Sequence, residues 1–189
     1  CIYEDFLTSY GERRALWMTE KELAALRRFD AVVACSESNA AYLRQEYGLS
    51  CESVRNGVDQ RRFLPLTASQ HDGLRKELGI EPGALAVVAT GGCSERKGTL
   101  PLALGFPSAL TRFPFHSGAA KVELHVFGEG PLYAECRDLG LEDVVFHGFE
   151  PDVVPWLQAA DLFVSASRSE GMPLAVLEAL SCGCPALLS

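Results

Sequence analysis

No stretch of this sequence is apolar for long. The longest run is about Ala84–Ala89, against the roughly 20 residues that a membrane-spanning helix requires. No signal peptide opens the chain, which starts at Cys1 and stops at Ser189 directly after an apolar, strand-like run. Both ends are expected to be cut from something longer, so missing targeting signals carry little weight. Basic residues are in the minority: 17 Lys and Arg stand against 25 Asp and Glu, a net charge of −8. That balance argues against nucleic-acid binding, because no broad field draws in a phosphate backbone. It leaves room for one small anionic ligand held by a local cluster of donors.

Metal and disulfide frameworks are also missing. The seven cysteines (Cys1, Cys35, Cys51, Cys93, Cys136, Cys182 and Cys184) are odd in number and scattered, and no CxxC pair occurs. The histidines His71, His116, His125 and His147 do not fall at ligand spacing from any of them, so no metal is expected. Reduced, mostly buried thiols in a cytosolic protein are expected instead. Three catalytic signatures are absent too: the GxxxxGK[ST] phosphate loop, the GxGxxG dinucleotide fingerprint and the GxSxG nucleophile elbow.

What is present is an alternation of short apolar runs with amphipathic stretches, the pattern of an α/β chain. Gly11 to Arg28 predicts a helix with a stripe of Leu16, Leu23 and Leu26. Ala31–Cys35 predicts a strand, Ser36 an N-cap, Asn39–Tyr47 a helix ended by Gly48, and Ser53–Arg55 another strand. Arg61 to about Gln70 lacks periodicity and predicts a linker, followed by a short helix over Leu74–Leu78.

From Ala84 the pattern becomes regular. Strands are expected at Ala84–Thr90, Val122–Phe127, Val144–His147, Leu162–Ala166 and Ala186–Leu188. Helices are expected from Lys97 or Gly98 to about Phe113, and over Leu132–Leu139, Val153–Ala160 and Leu174–Ser181. Pro101 and Pro107 count against the first of these. Strand–helix order throughout implies a doubly wound parallel sheet, whose ligands bind beyond the carboxyl ends of the strands. Four loops are therefore the candidates: 91–97, 128–131, 148–152 and 167–173.

In the last of these, Glu170 follows a strand, Gly171 permits close backbone approach, and Pro173 suits a helix start whose free N–H groups favour an anion. Glu178 lies further along that helix, and a carboxylate is a good acceptor for vicinal hydroxyls. Residue types alone leave a second reading open, in which Glu170 complements the helix dipole and Glu178 is solvated. Gly91 and Gly92 allow a sharp turn, and Arg96 and Lys97 offer cations that could reach a diphosphate or simply be a solvated basic pair. Gly128-Glu129-Gly130-Pro131 is a tight turn. Gly148-Phe149 offers an aromatic ring that could border a base, and His147 reads as a satisfied strand-end histidine.

The order of these loops carries a resemblance. Lys97-Gly98, Gly128-Glu129-Gly130-Pro131, His147-Gly148-Phe149, Ala160-Asp161-Leu162-Phe163-Val164, Ser169-Glu170-Gly171-Met172-Pro173-Leu174 through Glu178-Ala179, and Cys182-Gly183-Cys184-Pro185 follow one another as they do in one family. Together they resemble the retaining, family 4-type glycosyltransferases of the GT-B fold. Upstream, Phe29 to Ser36 and Val54 to Asp59 with Phe63 look like the end of that family's N-terminal domain.

The resemblance implies three parts: residues 1–64 as the tail of a second, acceptor-side Rossmann-like domain, 65–83 as linker and entry helix, and 84–189 as an incomplete donor domain. It implies transfer of a hexosyl group from a UDP- or GDP-type sugar to a carbohydrate, lipid-linked or small-molecule acceptor. The anomeric configuration would be retained, with no cofactor and no obligatory metal. Glu178 matches the ribose-binding glutamate, Glu170 the residue facing the donor hexose, and Lys97 the lysine that neutralises the diphosphate. Gly171, Met172, Pro173 and Leu174 match the helix start contacting sugar or phosphate, and Gly148 and Phe149 the rim of the base site. A cytoplasmic location, with peripheral association at the inner face of a membrane, is implied for the full-length protein.

The sequence departs from the family at Gly92, where an arginine is usual. Arg96 is a possible substitute. The departure keeps open a non-catalytic, nucleotide-sugar-binding paralogue or scaffold, and a hydrolase or epimerase of the same fold is a third alternative. Without most of the N-terminal domain, the chain is expected to bind donor and to lack transferase activity by itself.

Overall fold

The computed structural model describes Leu7 and residues 10–112 and 121–189. Cys1, His116 and the expected helix end at Phe113 lie outside the described residues. The chain divides into two compact units, Cys1–Gly57 with Ser169–Leu174, and Val58–Arg168 with Ala175–Ser189.

In the first unit, α1 (Glu12–Leu26) buries Ala15, Thr19 and Leu23, a stripe with a spacing of one helical turn. The expected stripe member Leu16 is instead exposed, because it falls beside that stripe rather than on it. β1 (Val33–Ala34) and β2 (Glu52–Ser53) pair in parallel over two residues each, shorter than the expected Ala31–Cys35 and Ser53–Arg55. Ladder length is set by the partner, and among the described residues β1 pairs with β2 alone. Between them α2 (Glu37–Tyr47) starts earlier than expected. Ser36 Oγ accepts from Asn39 N at 3.2 Å, which makes Asn39 the third helical residue rather than the first. Gly48 ends the helix, and Ala40, Leu43, Leu49, Cys51 and Leu23 form the unit's core.

The second unit contains a five-stranded, wholly parallel sheet in the order β5-β4-β3-β6-β7. Its strands are β3 (Leu85–Thr90), β4 (Val122–Phe127), β5 (Val144–Gly148), β6 (Leu162–Ser165) and β7 (Ala186–Leu188). The helices are α3 (Ala68–Glu77), α4 (Thr99–Arg112), α5 (Tyr133–Arg137), α6 (Val154–Ala159) and α7 (Leu174–Ser181), the last of which belongs to this unit from Ala175 onward. Alternation along the strands divides the core. Val88, Phe127 and Phe163 join Leu157, Val176 and Ala179 on one face, while Val87, Ala89, Leu124, Val126 and Val164 join Ala103 on the other. This is the expected doubly wound α/β sheet, with its change of winding direction between β3 and β6.

Three local differences have local causes. α3 replaces the end of the expected linker because Thr67 and Gln70 form a capping box, with Thr67 N donating to Gln70 Oε1 at 3.0 Å. α4 tolerates both prolines: Pro101 lies in the first turn, where an N–H has no intrahelical partner, whereas Pro107 costs one bond inside a long helix. Phe63 is buried with Val88 and Phe127, so the residues after Gly57 pack with the second unit.

Candidate active site

The candidate loops of the second unit gather at the carboxyl ends of β3, β4, β5 and β6, and backbone bonds stitch them together. Gly91 N donates to Phe127 O (2.9 Å), Gly128 N to Gly148 O (2.7 Å), Cys93 N to Glu129 O (3.1 Å) and Leu132 N to Cys93 O (3.0 Å). Glycine is required where these strands of backbone cross. A Cβ on Gly128, which has φ 124°, would collide with Gly91 O, and one on Gly130 would stand 2.5 Å from Cys93 O. Gly148 N-terminal to Phe149 also has positive φ, 77°. The sequence marks Gly128-Glu129-Gly130-Pro131 as a tight turn; the structure shows that its glycines make room for the backbone of the neighbouring loop.

The loops after β3 and β6 meet where the winding direction changes. Arg168 N donates to Arg96 O at 2.9 Å, and a Cβ on Gly98 would collide with Ala166 O. The Lys97 side chain lies along Gly91, its Cε 3.5 Å and its Nζ 3.8 Å from where a Gly91 Cβ would stand. Lys97 lines a narrow crevice with Gly91, Thr99, Ser165 and Ser167. Arg96, on the same turn, is half-buried. Next to the crevice is a cleft of about 310 Å³, bordered by Thr90, Gly91, Gly92, Phe127, Gly128, Glu129, Phe149, Glu150 and Val153. Phe149 is 73% exposed at its rim, and Gly92 is exposed.

Glu178 is half-buried on α7. Burial pushes its pKa up, and the nearby Arg62 guanidinium pulls it back down. Arg62 and Asp152 form an ion pair at 2.8 Å; Asp152 ends the candidate loop 148–152, whereas Arg62 belongs to no motif singled out in the sequence. Asp152 is held below its usual pKa, chiefly by its hydrogen bond from Arg62.

Glu170, Gly171, Met172, Pro173 and Leu174 belong to the first unit. There a Cβ on Gly171 would stand 2.5 Å from Cys35 Sγ and 2.8 Å from Asn39 Nδ2, and Asn56 Nδ2 donates to Met172 O at 2.9 Å. The glycine that the sequence offered for a close ligand approach thus also serves a close approach within the chain. Pro173 directly precedes α7, whose first residue is Leu174.

His147 is a paired histidine, as its strand-end position suggested. Its Nε2 lies 3.0 Å from His125 Nδ1, and its ring stacks on Phe127 at 4.3 Å. Burial lowers the pKa of both histidines, and for His125 the His147 charge adds to this, taking it to about 4. Among the described residues no group of three or more His, Cys, Asp or Glu could hold a metal ion. The described cysteines are free thiols, all buried except the half-buried Cys35.

Comparison with known proteins gives the family. Residues 84–189 match the family model of glycosyl transferases group 1. Mannosylfructose-phosphate synthase of Agrobacterium fabrum is 30% identical, over 90% of this chain and 40% of its own length. The lipopolysaccharide core biosynthesis mannosyltransferase LpsB of Rhizobium meliloti is 30% identical, over 85% of this chain and 45% of its own. The chain thus spans less than half the length of these curated relatives. Among solved structures, Anabaena Alr3699/HepE in complex with UDP and glucose superposes with a TM-score of 0.69 and 26% identity, covering 89% of this chain and 47% of that one. WaaG, a glycosyltransferase involved in lipopolysaccharide biosynthesis, shares the fold at a TM-score of 0.72 and 20% identity, covering 100% of this chain and 54% of that one. A parallel sheet with its loops stitched around Lys97, and a family match across that whole sheet, lead to one conclusion: the chain belongs to the glycosyl transferases group 1.

Proposed function

We propose that this chain carries the donor-binding part of a transferase that moves a hexosyl group from a nucleoside-diphosphate sugar to an acceptor, with retention of anomeric configuration. The observation that carries this reading is the placement of Lys97 beside Gly91 at the change of winding direction, next to a cleft of about 310 Å³. Lys97 meets the diphosphate as a point charge, and the free N–H groups at the start of α7 add a fixed dipole. Charge developing on the leaving diphosphate is then stabilised by groups already in place, without an obligatory metal. Glu178 accepts from the ribose hydroxyls, Phe149 borders the base, and Glu170 faces the hexose. UDP or GDP is the leaving nucleotide; the Anabaena relative was solved with UDP and glucose.

Relatives named as a lipopolysaccharide core biosynthesis mannosyltransferase and an alpha-monoglucosyldiacylglycerol synthase support a carbohydrate or lipid-linked acceptor; the full-length protein would then work at the inner face of a membrane. No helix of the described residues is long and apolar enough to cross one.

Calorimetry tests the donor reading. Glu178→Ala is expected to remove measurable UDP and GDP binding, and Lys97→Ala to weaken it about tenfold, the scale of one charge-assisted hydrogen bond. Equal affinity in wild type and both variants would sink it. Gly92, where the family usually places an arginine, favours a second reading, a nucleotide-sugar-binding paralogue without turnover. Donor turnover by the full-length protein would exclude it.

A further inference from the structure

Arg62 stands outside every motif that supports the donor reading, yet it links two parts of that site. The segment after Gly57 is fastened to the second unit at three points. Ser181 Oγ on α7 donates to Phe63 O at 2.6 Å, Gln158 Nε2 on α6 donates to Leu64 O at 2.8 Å, and Arg62 Nη2 donates to Asp152 Oδ1 at 2.8 Å. Phe63 is buried against Val176 and Ala179 of α7, and the Arg62 guanidinium lies over its ring, 5.3 Å from the centroid. Asp152 is itself fixed. Its N–H donates to Glu150 Oε1 at 3.1 Å, and its carboxylate accepts from Val154 N at 3.3 Å.

We propose that Arg62 is a positioning residue for the nucleoside end of the donor: clasped by Asp152 and seated on Phe63, it ties the loop after β5 to α7, the helix that carries Glu178. This rests on the donor reading of Glu178. The Arg62–Asp152 pair is more than half exposed, and such pairs add little to folding stability in water. Its contribution is geometric, and it grows when a bound nucleoside excludes water from the pair.

The charged and titratable groups around Glu178 and Arg62 define the expected pH dependence. Glu178 feels Arg62 and itself raises the pKa of Cys182, one turn along α7; Arg62 also faces Asp152 and Asp59. Burial raises the Glu178 pKa and Arg62 lowers it. Ionised Glu178 accepts hydrogen bonds through both oxygens, whereas the protonated acid gives up part of that capacity. Nucleotide binding is therefore lost as pH falls through the Glu178 transition, and removing Arg62 moves that loss to higher pH.

The test follows the Glu178 carboxyl carbon by NMR titration, assigned through Glu178→Gln, together with UDP calorimetry at several pH values. Arg62→Gln is expected to raise the Glu178 midpoint and to weaken UDP about tenfold near that midpoint, with a smaller loss in mild alkali. Arg62→Lys, which keeps the charge, is expected to keep the wild-type midpoint. An unchanged midpoint or unchanged UDP affinity in Arg62→Gln, with UDP lost in Glu178→Gln, would overturn the inference and leave the donor reading standing. An equal loss at every pH in both Arg62 variants would also overturn it, as the mark of a merely structural residue. If wild type binds no UDP, or Glu178→Gln binds it normally, the donor reading fails and takes the inference with it.

Discussion

Gly92 is exposed at the edge of the cleft, and a Cβ there would stand 3.2 Å from Glu129 O. That contact is tight but asks for only a few tenths of an ångström of movement, so a side chain can be accommodated. The position is where the family resemblance calls for a second phosphate cation. Gly92→Arg is therefore expected to tighten UDP binding about tenfold, with a change in thermal midpoint of a few degrees at most. Affinity unchanged or lowered in calorimetry would mean that the position does not face the phosphates. Single residues of this site were legible to different degrees. Lys97 and Glu178 stood out because motif order named them. Arg62 and His125 did not, because their importance comes from partners distant in the chain: Arg62 meets Asp152, and His125 meets His147 from the neighbouring strand. No local pattern encodes such a meeting.

At the scale of elements, apolar periodicity predicted the regular half of the chain well. The strands β3 to β7 and the helix α7 lie close to the expected positions, since a parallel strand buried on both faces reads as a continuous apolar run. The errors fell where hydrogen bonding rather than burial sets the boundary. Thr67 and Gln70 start α3 by reciprocal capping, and the short β1 ends where its pairing with β2 ends.

One element-level contact left no trace in the pattern at all. Arg75 of α3 donates to Asp161 Oδ2 at 2.9 Å, to Ala159 O at 2.7 Å and to Ala84 O. The same Asp161 oxygen accepts from Ala86 N at 2.8 Å. The Arg75 side chain is 12% exposed, so its charge is largely desolvated and must remain paired. It clamps α3 to the entry ends of β3 and β6. Arg75→Ala is expected to cost about 3 kcal/mol in denaturant unfolding, because it strands a partly buried carboxylate. A loss of less than about 0.5 kcal/mol, the scale of an ordinary surface change, would contradict this.

For the molecule as a whole, pH dependence of stability follows from the aromatic cluster of His125, His147, Phe127 and Trp156. His125 is 6% exposed, and its pKa is lowered to about 4, first by burial and then by His147. The unfolded chain takes up this proton near the ordinary value of 6.5, whereas the folded chain resists it until near 4. Stability is thus whole above about pH 6.5 and falls as the pH drops toward 4, by an amount on the order of 3 kcal/mol. His125→Phe is expected to flatten that acid decline, and an unaltered slope in chemical denaturation across this range would refute the assignment.

The fold class, the sheet and the family of the whole chain were legible from the ordered loop motifs. The stitching of those loops to one another, through Gly91, Cys93, Gly128 and Gly148, was not, because sequence gives the glycines without the carbonyls they accommodate.

The proposed donor site is built from these stitched loops with Lys97 and Glu178. A crystal structure of the chain with UDP tests it most directly. Diphosphate oxygens are expected within hydrogen-bonding distance of Lys97 Nζ, and both ribose hydroxyls on the Glu178 carboxylate. UDP bound elsewhere, or bound in the cleft with neither contact, would contradict it.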